Sequence, residues 1–106
     1  MVHPFLDSHP DQALAKKQMV KGGTTLAIQL DGGKEEAFRF MNGLEVIDIS
    51  NNLGDARSLA THPASTTHHR LGPEIRELMG IGEGVVRISV GLEHPSDLLE
   101  DVRLAL

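Results

Sequence analysis

The chain has 106 residues, with ten Lys plus Arg against fifteen Asp plus Glu, and its formal charge of −5 repels a phosphate backbone and argues against nucleic acid as a partner. It contains no Cys, which excludes a disulfide framework, a thiolate nucleophile and a zinc–thiolate site within it. The length suits one small domain, since single cores belong to chains of roughly 50–200 residues, and three Phe with no Trp or Tyr leave an interior built of Leu, Ile, Val, Ala and Met.

Residues 1–10 hold Asp7 and two His and lack the basic start and apolar run of a secretory signal. No apolar run approaches the roughly 20 residues that span a bilayer, so no membrane partner is expected and the composition fits the cytoplasm. After Pro10, residues 11–19 read as a short helix, with Asp11 near its positive end and Lys16 and Lys17 near its negative end. Gly22-Gly23 breaks it. Over residues 24–30, Leu26, Ile28 and Leu30 alternate with Thr25, Ala27 and Gln29, the period of a half-buried strand.

Asp31-Gly32-Gly33 closes that strand, and residues 34–42 place Ala37, Phe40 and Met41 at helical spacing, with Glu35 and Glu36 in the first turn and Gly43 as the stop. Residues 46–50 alternate again and predict a second strand. Residues 51–72 show no sustained period apart from a possible short strand at 58–61, and long loops in compact domains tend to be functional. Pro73 and Gly80 bracket a short helix over residues 74–79. Residues 85–90 form a third main strand. The last helix opens at Pro95, with Leu98, Leu99, Val102, Ala105 and Leu106 expected on its buried side and Glu100, Asp101 and Arg103 in solvent.

A helix returning between the first two strands makes them parallel and leaves a slot that the third fills antiparallel to both. The expected fold is therefore α+β, a small two-layer sandwich whose mostly antiparallel sheet of three or four strands carries helices on one face. Residues 1–106 form a single unit without internal repeats.

Arg87 is the sharpest candidate for chemistry. On its strand Val86, Ile88 and Val90 face one side, so Arg87 points away from the helices if these cover that side. A guanidinium on a rigid strand can grip a carboxylate through two parallel hydrogen bonds, although periodicity alone favours an ordinary surface arginine. Asn52 lies in a polar turn before Gly54. His62, His68 and His69 have no metal-ligand spacing, because adjacent histidines on an extended segment point opposite ways. Gly80-Ile81-Gly82-Glu83-Gly84 precedes a strand instead of opening a helix, so it reads as a turn and not as a phosphate cradle.

Three segments carry a resemblance: Asn51-Asn52-Leu53-Gly54-Asp55, His62-Pro63-Ala64-Ser65-Thr66-Thr67-His68, and Val86-Arg87-Ile88-Ser89-Val90-Gly91-Leu92-Glu93. Together they resemble the C-terminal domain of the pyridoxal phosphate (PLP) enzymes of cysteine and methionine metabolism, most closely the O-succinylhomoserine sulfhydrylases. The resemblance implies that Arg87 binds the substrate α-carboxylate and that Asn52 and Thr67 lie near the substrate. Many relatives have serine where this chain has Asn52, which removes any hydroxyl role and moves the match away from the methionine γ-lyases.

The resemblance covers nearly the whole chain but corresponds only to the end of a family member. Such an enzyme holds PLP on a lysine, and none of Lys16, Lys17, Lys21 and Lys34 has the context of that residue. It follows that the fragment alone binds no cofactor, has no catalytic residue and is inert. The intact enzyme would be a cytoplasmic homotetramer in which this domain packs on the PLP-binding domain of its own chain. It would expel succinate from O-succinylhomoserine and add sulfide to form homocysteine. O-acetylhomoserine sulfhydrylase, cystathionine γ-synthase and a freestanding amino-acid-binding module remain the alternatives.

Overall fold

In the computed structural model, which describes residues 1–106, the chain runs α1 (Gln12–Gln18), β1 (Thr25–Gln29), α2 (Lys34–Asn42), β2 (Asp48–Ile49), β3 (Leu59–Thr61), two 3₁₀ turns (Pro63–Ser65 and His69–Leu71), α3 (Gly72–Leu78), β4 (Val85–Ser89) and α4 (Pro95–Ala105). The periodic segments form where the apolar spacing puts them. In α2 the buried residues are Ala37, Phe40 and Met41, one face of a helix that Gly43 caps. In β1, Leu26 and Ile28 turn toward the core while Thr25 and Gln29 stay exposed. No helix is long and apolar enough to cross a membrane.

The sheet order is β1-β4-β3-β2. β4 runs antiparallel to β1 and to β3, and β2 runs parallel to β3, so β1 and β2 are parallel as a returning helix requires. The slot between them holds two strands, however. The expected pairing of β4 with β2 is not made, because β3 lies between them with all three of its residues buried. Val2 adds an isolated bridge to Ala27 on the outer side of β1.

The core lies between the sheet and the helices α2 and α4. Ala37, Phe40 and Met41 meet Ile47, Ala60, Val86, Ile88 and Ala105, with Leu26, Ile28, Leu98 and Val102 packed around them. Apart from Phe40 it is aliphatic. The opposite face of β4 is not bare, since Val85 and Ser89 are buried and Gly54 N–H donates to Ser89 Oγ at 3.1 Å. A loop over residues 51–57 therefore crosses the side of the sheet on which Arg87 stands.

The register of α4 departs from the sequence reading. Its inward stripe is Leu98, Asp101, Val102 and Ala105, at i, i+3, i+4 and i+7, whereas Leu99 and Leu106 are 72% and 61% exposed. Asp101, expected in solvent, is buried and accepts the backbone N–H groups of Glu45, Val46 and Ile47 at 2.8, 3.0 and 2.9 Å. Those amides are thereby withdrawn from the sheet ladder, which is why β2 starts at Asp48 and not at Val46.

Candidate functional site

Arg87 sits at the centre of β4, opposite Ala27 of β1 on one side and Thr61 of β3 on the other. Its Nη2 donates to the Asn51 carbonyl at 3.0 Å. The ion pairs of the molecule are Glu36–Arg39, Asp48–Arg57, Arg76–Glu83 and Glu100–Arg103, so no carboxylate neutralises Arg87. A guanidinium offers five N–H donors, and with one committed to Asn51 the fork keeps enough for a bidentate carboxylate grip. A half-exposed, unpaired cation fixed to a central strand and steadied by a single carbonyl is a suitable anion anchor.

Around it lies a polar network. Thr61 Oγ1 donates to Asn51 Oδ1 at 2.7 Å and lies 3.0 Å from Thr66 Oγ1, which donates to the His62 carbonyl at 2.8 Å. His62 is 1% exposed and both ring nitrogens are engaged, Nδ1 with Ser65 Oγ at 2.7 Å and Nε2 with the Glu83 carbonyl. A carbonyl only accepts, so Nε2 carries a proton, and the Ser65 hydroxyl lies between Nδ1 and the His62 carbonyl, 3.3 Å from the latter. The edge of the His62 ring meets Phe38 at 5.1 Å between centroids. Asn51, Thr61, His62, Ser65 and Thr66 line an open cavity of about 240 Å³ together with Phe38, Met41 and Ile49.

The other candidates are placed less centrally. Asn52 is exposed; its N–H donates to Ser50 Oγ at 3.3 Å, and its side chain makes no hydrogen bond. Thr67 is also exposed and bonds locally, its Oγ1 2.7 Å from His68 Nδ1. Neither forms a hydrogen bond to Arg87. No three His, Cys, Asp or Glu side chains converge as metal ligands would, and His62 is a structural histidine that knits the turn after β3 to the residue before Gly84. Sequence spacing gave no hint of Thr61, because its place beside Arg87 depends on β3 pairing with β4.

The chain matches the Cys/Met metabolism PLP-dependent enzyme family over residues 1–106. It belongs to that family. Among curated family members, the O-succinylhomoserine sulfhydrylase of Mycobacterium tuberculosis (strain CDC 1551 / Oshkosh) is 54% identical over 98% of this chain and 27% of its own length. The L-methionine gamma-lyase of Pseudomonas putida is 50% identical over 98% of the chain and 26% of its own length. A solved structure, the cystathione gamma lyase of Micromonospora echinospora, superposes with a TM-score of 0.90 at 38% identity, over 98% of this chain and 27% of that one. This family member thus spans about a quarter of the length of the relatives it matches.

The family's cofactor needs a lysine held against its ring in a pocket. In this chain Lys16, Lys17, Lys21 and Lys34 are all exposed, and Lys34 Nζ lies 5.3 Å over the Phe38 ring. None lines the cavity beside Asn51. The residues present do not make a PLP site.

Glu93, in the same run of sequence as Arg87, shapes the strand that carries it. Its carboxylate accepts the Ser58 N–H at 2.8 Å and the Ser58 hydroxyl at 2.9 Å, while Ser58 Oγ accepts the Gly91 N–H at 2.8 Å. Position 91 must be glycine, because a Cβ would strike the Ala56 carbonyl and the Arg57–Ser58 peptide. The Ser58 N–H holds the Glu93 carboxyl below its ordinary value of 4.5, against the opposing effect of burial. A depressed folded-state pKa gives stability that is present above the unfolded value and lost as pH falls through the folded one. Urea unfolding should therefore show Glu93→Gln less stable than the parent by about 1 kcal/mol at pH 7. The gap should close below pH 4.5, and a gap that persists at low pH would show that the charge is not responsible.

Proposed function

We propose that this chain is the C-terminal, substrate-carboxylate-binding domain of a PLP-dependent O-succinylhomoserine sulfhydrylase, a transferase that makes homocysteine from O-succinylhomoserine and sulfide by γ-replacement. The observation that carries the reading is Arg87, a cation on a rigid strand with no carboxylate partner of its own. In this reading Arg87 fixes the α-carboxylate of the substrate, with Asn52 and Thr67 near it, and this segment supplies no proton-transfer group. The lysine that holds the cofactor and the rest of the cofactor site belong to the remainder of a longer polypeptide, and the 106-residue chain alone is inactive.

Further support comes from a second, largely apolar hollow of about 360 Å³ on the helix-bearing face, lined by Met1, Leu26, Ile28, Ile88, Leu98 and Val102 among others. Such a surface suits packing against another body of protein. The reading places the assembled enzyme, as a homotetramer, in the cytoplasm, with this domain packed on the PLP-binding domain of its own chain.

The 50% identity to a methionine gamma-lyase favours a second reading, elimination instead of replacement. A chimaera separates the two. This chain replaces its matching segment in the M. tuberculosis sulfhydrylase, and product is followed with O-succinylhomoserine plus sulfide and with methionine alone. Homocysteine from the first mixture is expected. Methanethiol from the second, with no homocysteine from the first, would establish the lyase reading. A folded chimaera inactive in both, paired with amino-acid binding by the isolated chain, would favour a freestanding binding module.

A further inference from the structure

We propose that Asn51 and Thr61 are positioning residues for Arg87, holding its guanidinium in the single orientation that a bidentate carboxylate grip needs; this rests on the carboxylate-binding reading above. The carbonyl that accepts Arg87 Nη2 belongs to Asn51, an exposed residue just past the end of β2. A loop carbonyl is a poor anchor unless the loop is itself fixed. Here the Asn51 side chain is held by Thr61 Oγ1 at 2.7 Å, and Thr61 is 1% exposed on β3, directly opposite Arg87 in the sheet register.

The restraint continues inward. Thr61 Oγ1 touches Thr66 Oγ1 at 3.0 Å, Thr66 is bonded to the His62 carbonyl, and the buried His62 ring is bonded at both nitrogens. On the other side, the Ser50 N–H donates to the Ala60 carbonyl at 3.0 Å and the Gly54 N–H to Ser89 Oγ at 3.1 Å. Asn51 is thus fastened to β3 through its side chain and flanked by two further ties to the sheet. An unrestrained arginine samples many rotamers, and ordering it on binding weakens affinity. The Asn51–Thr61 pair removes that disorder before substrate arrives. Its expected signature is tighter binding of carboxylate-bearing ligands with little change in the rate of the bound complex.

Two measurements test this. On the 106-residue chain, NMR relaxation at Arg87 Nε and Cζ reads the order of the guanidinium directly, independently of any catalytic assignment. The parent and Thr61→Ser, which keeps the hydroxyl, are expected to show an ordered Arg87, and Thr61→Val and Asn51→Ala a mobile one. An Arg87 that is mobile in the parent, or equally ordered in all four chains, overturns the proposal. In the sulfhydrylase chimaera, Thr61→Val is expected to raise KM for O-succinylhomoserine about tenfold with kcat nearly unchanged, and Thr61→Ser to restore it. In an Arg87→Ala background the Thr61→Val effect should vanish. Additive effects there would mean that Thr61 acts on structure and not through Arg87, and overturn the proposal. Should Arg87→Ala itself leave KM unchanged, the carboxylate-binding reading fails, and the relaxation data still decide whether Asn51 and Thr61 position the side chain.

Discussion

Asp101→Ala should cost the domain about 3–5 kcal/mol of unfolding free energy, one of the two largest effects expected of any single substitution here. Three backbone donors, the N–H groups of Glu45, Val46 and Ile47, lose their acceptor together, and Ile47 is itself 4% exposed, so water cannot replace the carboxylate there freely. The loss is a large part of the roughly 5–15 kcal/mol that stabilises a domain of this size. At about 4 °C or more per kcal/mol, the thermal midpoint should fall by at least about 12 °C. Asp101→Asn keeps one oxygen but turns an NH₂ toward an N–H donor, so it should fall in between. A thermal midpoint for Asp101→Ala within about 2 °C of the parent would show that the three amides find other partners.

Asp101 also marks where the sequence stops being legible. A run of Leu98, Leu99, Val102, Ala105 and Leu106 in a helix looks like its buried side, and acidic neighbours look like solvent. The true stripe is rotated by about one position, so that the charged residue faces inward and Leu99 faces out. Helical periodicity cannot register this, because the reason is tertiary: the chain leaving α2 has backbone amides that no ladder satisfies, and a carboxylate on α4 is the partner available. The same cause shortens β2. By contrast α2, β1 and β4 follow directly from apolar spacing and glycine stops, since α2 and β1 each turn one face to the core and β4 sends Val86 and Ile88 into it.

The candidate site was legible only in part, for a similar reason. Alternation along β4 separates Arg87 from Val86 and Ile88, and that much needs no neighbour. What surrounds Arg87 depends on which strand lies beside it. The expected neighbour, β2, would have placed Asp48 and Ser50 close by. With β3 inserted instead, Thr61 takes that place, and the residue after Ser50 supplies a backbone carbonyl, not a side chain, to the guanidinium. Asn52, singled out in the sequence, is thereby one residue away from the contact that the structure makes. Thr67 is likewise one residue beyond Thr66, which belongs to the network.

Arg87→Ala in the sulfhydrylase chimaera should raise KM for O-succinylhomoserine by about 100-fold, the equivalent of about 3 kcal/mol for a lost charge-assisted bidentate contact. Arg87→Lys should recover only part of this, because an ammonium keeps the charge and loses the planar fork that accepts two parallel bonds. The effect should be confined to ligands with the carboxylate. An amine analogue lacking it should inhibit parent and variant equally, whereas a general collapse of the site would weaken both ligands. Stability should barely change, within about 1 kcal/mol, since the parent loses only one hydrogen bond from a half-exposed side chain to the Asn51 carbonyl. That separation of binding from folding distinguishes an anion anchor from a structural arginine such as Arg76, which is 6% exposed and bonded to the His69 carbonyl and Glu83. A KM within about threefold of the parent would remove Arg87 from the substrate, and leave Asn52 and Thr67 as the remaining candidates in this segment to meet it.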